Sequence, residues 1–120
     1  MFRFCNPNPC NLLIGDCVIR ACSIVLEDSW HKTHENLSDL SNSMCNMPSA
    51  NVVWGEYLEG NGMIYKVPRF PITVRQFCRN NPKGVFTIGT GTHAVTVIDG
   101  DWYDIWDSGD EKISYYFERS

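Results

Sequence analysis

The apolar pattern of this chain changes once, near Gly84, and that change limits the folds open to it. Before it, apolar residues recur in stretches that suit helices. After it, four short runs carry strand composition: Gly84–Ile88, His93–Ile98, Trp102–Trp106 and Ile113–Phe117. Asp99-Gly100 stands between the second and third of these. That dipeptide is a strong hairpin signal, because both positions tolerate the positive φ of the favoured two-residue turn. Helices first and an antiparallel meander afterwards place the chain in the α+β class. At 120 residues it is the size of one domain with one core, spanning 1–120.

The first half resolves further through its stop and start residues. Cys5-Asn-Pro-Asn-Pro-Cys-Asn11 is a loop, since two prolines forbid a helix there. Gly15-Asp16 reads as a stop followed by an N-cap, opening a buried helix over Cys17–Leu26. Ser29 caps a second helix from Trp30 to about Leu40, and Ser49 a third through Leu58, which Gly60-Asn61-Gly62 ends. Met63–Val67 is a short strand. A fourth helix runs from Thr73 to Arg79, where Asn80-Asn81-Pro82 stops it.

Charge and cysteine usage exclude several functions. Ten basic residues against 14 acidic ones give a net charge of -4, with the basic residues scattered. A nucleic-acid surface needs clustered Lys and Arg, so no nucleic-acid partner is expected. Leu12–Ile14 is too short for a signal core, and no stretch approaches a membrane span. A cytoplasmic protein with no membrane partner is the expectation. The six cysteines, at 5, 10, 17, 22, 45 and 78, are then reduced thiols. None is spaced as Cys-x-x-Cys, and neither a metal nor a cofactor is expected.

One of those thiols is placed for chemistry. A helix N-terminus lowers a thiol pKa through its unpaired N–H groups and dipole, and Cys17 directly follows the expected cap. Cys22 falls mid-helix, and Cys78 near a helix end where the dipole has the wrong sign. A thiol nucleophile needs a base. His31 and His34 lie on a polar helix and read as surface residues. His93 opens an apolar strand at the edge of the core. The hairpin partner offers two acids to orient it, Asp104 and Asp107. The turn by itself leaves both open, since a one-residue slip or a bulge at Gly100 would exchange them.

Gly15-Asp-Cys-Val-Ile-Arg-Ala21, Thr92-His-Ala-Val-Thr-Val-Ile-Asp-Gly100 and Tyr103-Asp-Ile-Trp-Asp107 together resemble the papain-like superfamily. There a Cys heads a helix, a His begins a strand and an Asn or Asp lies on the next. The layout is shared by NlpC-type and bacteriocin-processing peptidases, and the chain looks closest to small bacterial and phage papain-like proteins. The resemblance implies a helical half carrying Cys17 packed on an antiparallel sheet carrying His93 and Asp104. It implies cysteine-dependent hydrolysis of an amide in a peptide, isopeptide or cell-wall peptide, through a thioester and without a cofactor. The partner would be a peptide or protein substrate. It also implies an oxyanion-hole amide six residues before the nucleophile, which falls on Asn11 in place of the family's Gln, and a Trp two after the third member, which falls on Trp106. Transglutaminase-like acyl transfer and a non-catalytic papain-fold binding or inhibitory module are the alternatives. Oligomeric state is left open.

Overall fold

The computed structural model describes residues 1–119. Its elements in chain order are β1 (Phe2–Phe4), α1 (Cys17–Leu26), α2 (Trp30–Ser43), α3 (Asn51–Gly60), β2 (Met63–Lys66), α4 (Val74–Asn80), β3 (Val85–Gly89), β4 (Ala94–Ile98), β5 (Asp101–Asp104) and β6 (Tyr115–Arg119). The fold is α+β, built on one sheet ordered β1-β5-β4-β3-β6-β2.

The turn chemistry sets the central hairpin. Asp99 and Gly100 both have positive φ, 49° and 83°, as a tight two-residue turn between twisted strands requires. Pairing then runs without a bulge, with Ile98 opposite Asp101, Val97 opposite Trp102 and Thr96 opposite Tyr103. β3 pairs with β4 on the other side.

Two features depart from a simple antiparallel meander. Phe2–Phe4 joins the sheet edge as β1, parallel to β5, so the sheet is mixed. The last strand starts at Tyr115 and returns past the hairpin to lie between β3 and β2. Three residues give little pattern to read, and a crossover is decided by packing across the whole sheet. The helix limits also shift: α2 extends to Ser43, and α3 starts from Ala50 with no side-chain cap, in place of the Ser49 cap. Ser29 does cap α2, its hydroxyl accepting from the Lys32 N–H. Thr73 and Gln76 form a reciprocal capping box on α4.

Strand alternation sends residues to both faces of the sheet, so the domain holds two apolar cores and not the single one its length suggested. Helices α1, α2 and α3 bury Val18, Cys22, Val25, Leu37, Trp54 and Leu58 against Ala94 and Phe117. On the other core, α4 brings Val74 and Phe77 against Phe86, Ile88, Val95, Val97 and Trp102. Thr96 is buried and donates to the Ala21 carbonyl at 2.7 Å, pinning α1 to the centre of β4. That contact fixes the start of α1 relative to the start of β4, where the site lies.

Candidate active site

Cys17 is the first residue of α1, and its thiol is half-buried. His93 sits immediately before β4. Its Nε2 lies 2.6 Å from Asp104 Oδ2 at the end of β5. The ring also interacts with the Cys17 thiol, and with Nε2 held by Asp104 it is Nδ1 that is left for the sulfur. The structure thus brings Cys17, His93 and Asp104 together in one site.

Hairpin register explains which acid reaches the ring. Carried past Thr96–Tyr103, the pairing puts Asp104 opposite Val95, a diagonal neighbour of His93 on the same face. Asp107 falls on the other parity. It accepts from Trp102 Nε1 at 2.9 Å and from the Gly109 N–H at 3.0 Å, closing the turn after the strand. The same register sets Trp106 level with His93, and their ring centroids are 4.7 Å apart. The indole covers the imidazole while remaining 44% exposed itself.

Asp104 is 2% exposed and surrounded by donors. Besides His93 it accepts from Ser108 Oγ at 2.7 Å, from the Ile105 N–H at 2.8 Å and from Arg20 Nη2 at 3.4 Å. Burial pushes its carboxyl up, but the hydrogen bonds from His93, Ser108 and the Ile105 N–H, that from His93 first, hold it below the ordinary aspartate value. Burial by itself would lower the His93 pKa. The Asp104 and Cys17 hydrogen bonds outweigh it and raise the imidazole to about 9. Burial likewise opposes the Cys17 thiolate. Hydrogen bonds from His93 and the Ala94 N–H, with the nearby charges of His93 and Arg20, bring the thiol below its ordinary value. Both shifts favour a thiolate–imidazolium pair. Cys22, fully buried one turn on, has its thiol pushed up by burial beyond any physiological range. Cys78 is raised to about 11 for the same reason.

The helix start differs from the sequence expectation. Asp16 is the N-cap residue by position, yet its side chain makes no capping bond. Its Oδ1 is taken by Arg20 Nη1, its Oδ2 by Trp30 Nε1 at 2.9 Å and Asn8 Nδ2 at 3.3 Å. Among the described residues, the N–H groups of Cys17, Val18 and Ile19 therefore have no protein acceptor; the first bond of the helix is from the Arg20 N–H to the Asp16 carbonyl.

A cleft of about 230 Å³ opens at the thiol, walled by Ser49, Asn51, Trp54 and residues 91–94. A second lobe of about 200 Å³ shares Cys17 and extends past Ile19 to His34 and Pro48. His34, expected only as a surface residue, is exposed and stacks on Trp30 at 5.1 Å, so it also lines this lobe. Asn11 is not brought into either lobe. It occupies a left-handed turn (φ 56°) with its side chain exposed, and the buried amide of that loop belongs to Asn8. Sequence reasoning missed Ser108, Trp30 and the ionic role of Arg20. Ser108 lies in an irregular segment with no signal, whereas the i,i+4 spacing of Asp16 and Arg20 was readable.

Among the described residues, no group of three or more His, Cys, Asp or Glu side chains is arranged to hold a metal ion, and no helix is long and apolar enough to cross a membrane. Fold and site define an α+β protein with a Cys, a His and an Asp gathered at a helix start beside a cleft. No family model, curated protein or solved structure matches the chain.

Proposed function

We propose that this protein is a papain-like cysteine hydrolase acting on an amide bond of a peptide, isopeptide or cell-wall peptide. One observation carries the reading. A half-buried thiol at an open helix start lies in one cleft with a histidine whose Nε2 is held at 2.6 Å by a buried carboxylate.

Asp104 fixes the tautomer. Its carboxylate accepts Nε2–H, which leaves Nδ1 to take the thiol proton. The thiolate attacks the amide carbonyl carbon, and the electron pair of the C=O bond moves to oxygen. Two donors of the α1 start, the Cys17 and Val18 N–H groups, receive that oxyanion; this reading drops Asn11, whose side chain lies outside the cleft. Collapse re-forms the carbonyl and expels the amine, which takes the proton from Nδ1. A water then gives its proton to His93 and attacks the thioester, releasing the acid and the thiol. Trp106 keeps bulk water from the His93–Asp104 bond.

The test is peptide-mapped alkylation with iodoacetamide at pH 7, followed by screening against peptide libraries, ubiquitin-like conjugates and peptidoglycan. Selective modification at Cys17, and turnover that Cys17→Ala removes, support the proposal. Uniformly slow alkylation of all six thiols overturns it and favours a binding module. An added amine that diverts the product marks acyl transfer in place of hydrolysis.

A further inference from the structure

Four buried or half-buried polar groups meet behind the nucleophile: Arg20, Asp16, Trp30 and Asp104. Arg20 is 4% exposed and lies one turn below Cys17. Its Nη1 binds Asp16 Oδ1 and, at 3.1 Å, the Ile14 carbonyl; its Nη2 reaches Asp104 at 3.4 Å. A buried guanidinium is retained only where its donors are matched, and here the matching groups are the residue before the nucleophile and the acid behind the base.

Asp at an N-cap ordinarily turns its carboxylate onto the N–H groups of the first turn. Here both carboxylate oxygens are occupied elsewhere. We propose that Arg20 is a positioning residue that withholds the Asp16 carboxylate from the start of α1, leaving its N–H groups open to a substrate oxyanion and cancelling a negative charge next to the thiol. The inference rests on the reading of Cys17 as nucleophile. Arg20 itself touches neither thiol nor substrate.

Around Cys17 the charged and titratable groups are His93 before β4, with Asp104 of β5 behind it; Asp16, Arg20 and Cys22 at α1; and His34 from α2 across the second lobe. Removing Arg20 frees Oδ1 of the Asp16 carboxylate to cap the helix with its charge uncompensated, and takes one donor from Asp104. The proximity of Arg20 also favours the thiolate directly.

The experiment is the pH dependence of iodoacetamide alkylation at Cys17, in the full chain, with folding checked by circular dichroism. In Arg20→Met the midpoint should rise by about one pH unit. Adding Asp16→Ala, which can neither cap nor carry charge, should recover most of that shift. Trp30→Phe, which deletes the indole donor to Asp16 and keeps an aromatic ring beside His34, should move the midpoint the same way by less. A folded Arg20→Met with the wild-type midpoint overturns the proposal. So does a double variant no better than Arg20→Met, because Arg20 would then act by its own charge or through Asp104. If Arg20→Met does not fold, Trp30→Phe decides: a raised midpoint supports the role and an unmoved one refutes it. Wild-type Cys17 reacting no faster than the exposed Cys10 and Cys45 would refute the nucleophile reading and this inference with it. Fast wild-type labelling with unmoved variants refutes only the inference.

Discussion

Asp104→Asn tests the electrostatics of the site with the least change in shape. The His93 imidazole is raised from 6.5 to about 9, a difference worth roughly 3 kcal/mol in favour of the charged ring. Asp104 and Cys17 share that effect, with the Asp104 hydrogen bond the larger contributor. Neutralising Asp104 should therefore lower the His93 pKa by more than about one unit. An Asn can keep its Oδ1 toward the Ile105 N–H and Arg20, so its Nδ2 faces His93 and Ser108. That amide donates to Nε2, forcing the neutral ring to carry its proton on Nδ1, where it cannot accept the thiol proton. Turnover should fall by about 10²–10⁴-fold. The assay is the alkylation–pH profile of Cys17 together with an NMR titration of the His93 ring. Stability carries the same signature. A raised histidine pKa stabilises the fold fully below about pH 6.5, and that stabilisation is lost as pH rises through about 9. Wild-type melting temperature should decline across that window and Asp104→Asn should decline less. A His93 titration still centred near 9 in the variant would refute the argument.

Cys17→Ala should remove the fast-alkylating thiol and all turnover with little loss of stability, whereas Cys22→Ala should leave both intact and cost about 1 kcal/mol in chemical denaturation, because it opens a small void in a fully buried site. Trp106→Ala should expose the His93–Asp104 bond to water and lower turnover about tenfold, with a matching fall in the basic limb of the pH profile. Asn11→Ala should leave turnover unchanged, since the side chain lies outside the cleft; a loss of 10-fold or more would return Asn11 to the oxyanion site. Gly89→Ala should destabilise by about 1–3 kcal/mol, because a Cβ there would stand 2.5 Å from the Tyr115 ring, and thermal melting would show it.

The sequence by itself determined what is local. Apolar spacing and the Ser29 cap placed the helices, and Asp99-Gly100 announced the hairpin; the observed register then put Asp104, and not Asp107, on the His93 face. The chemistry of a thiol at a helix start and a histidine at a strand start was equally legible, since each depends on near neighbours. Tertiary structure decided whatever depends on distant segments or on competition between partners. Phe2–Phe4 is too short to announce itself and becomes a strand only because β5 offers an edge. β6 settles between β3 and β2, a placement set by which faces its aromatic side chains must bury. The Asp16 carboxylate has the sequence of a cap but not its role, because Arg20, Trp30 and Asn8 together occupy both its oxygens and the Arg20 bond pairs two opposite charges. A side chain with several possible partners takes the set that satisfies both its oxygens, and that set comes from three separate parts of the chain.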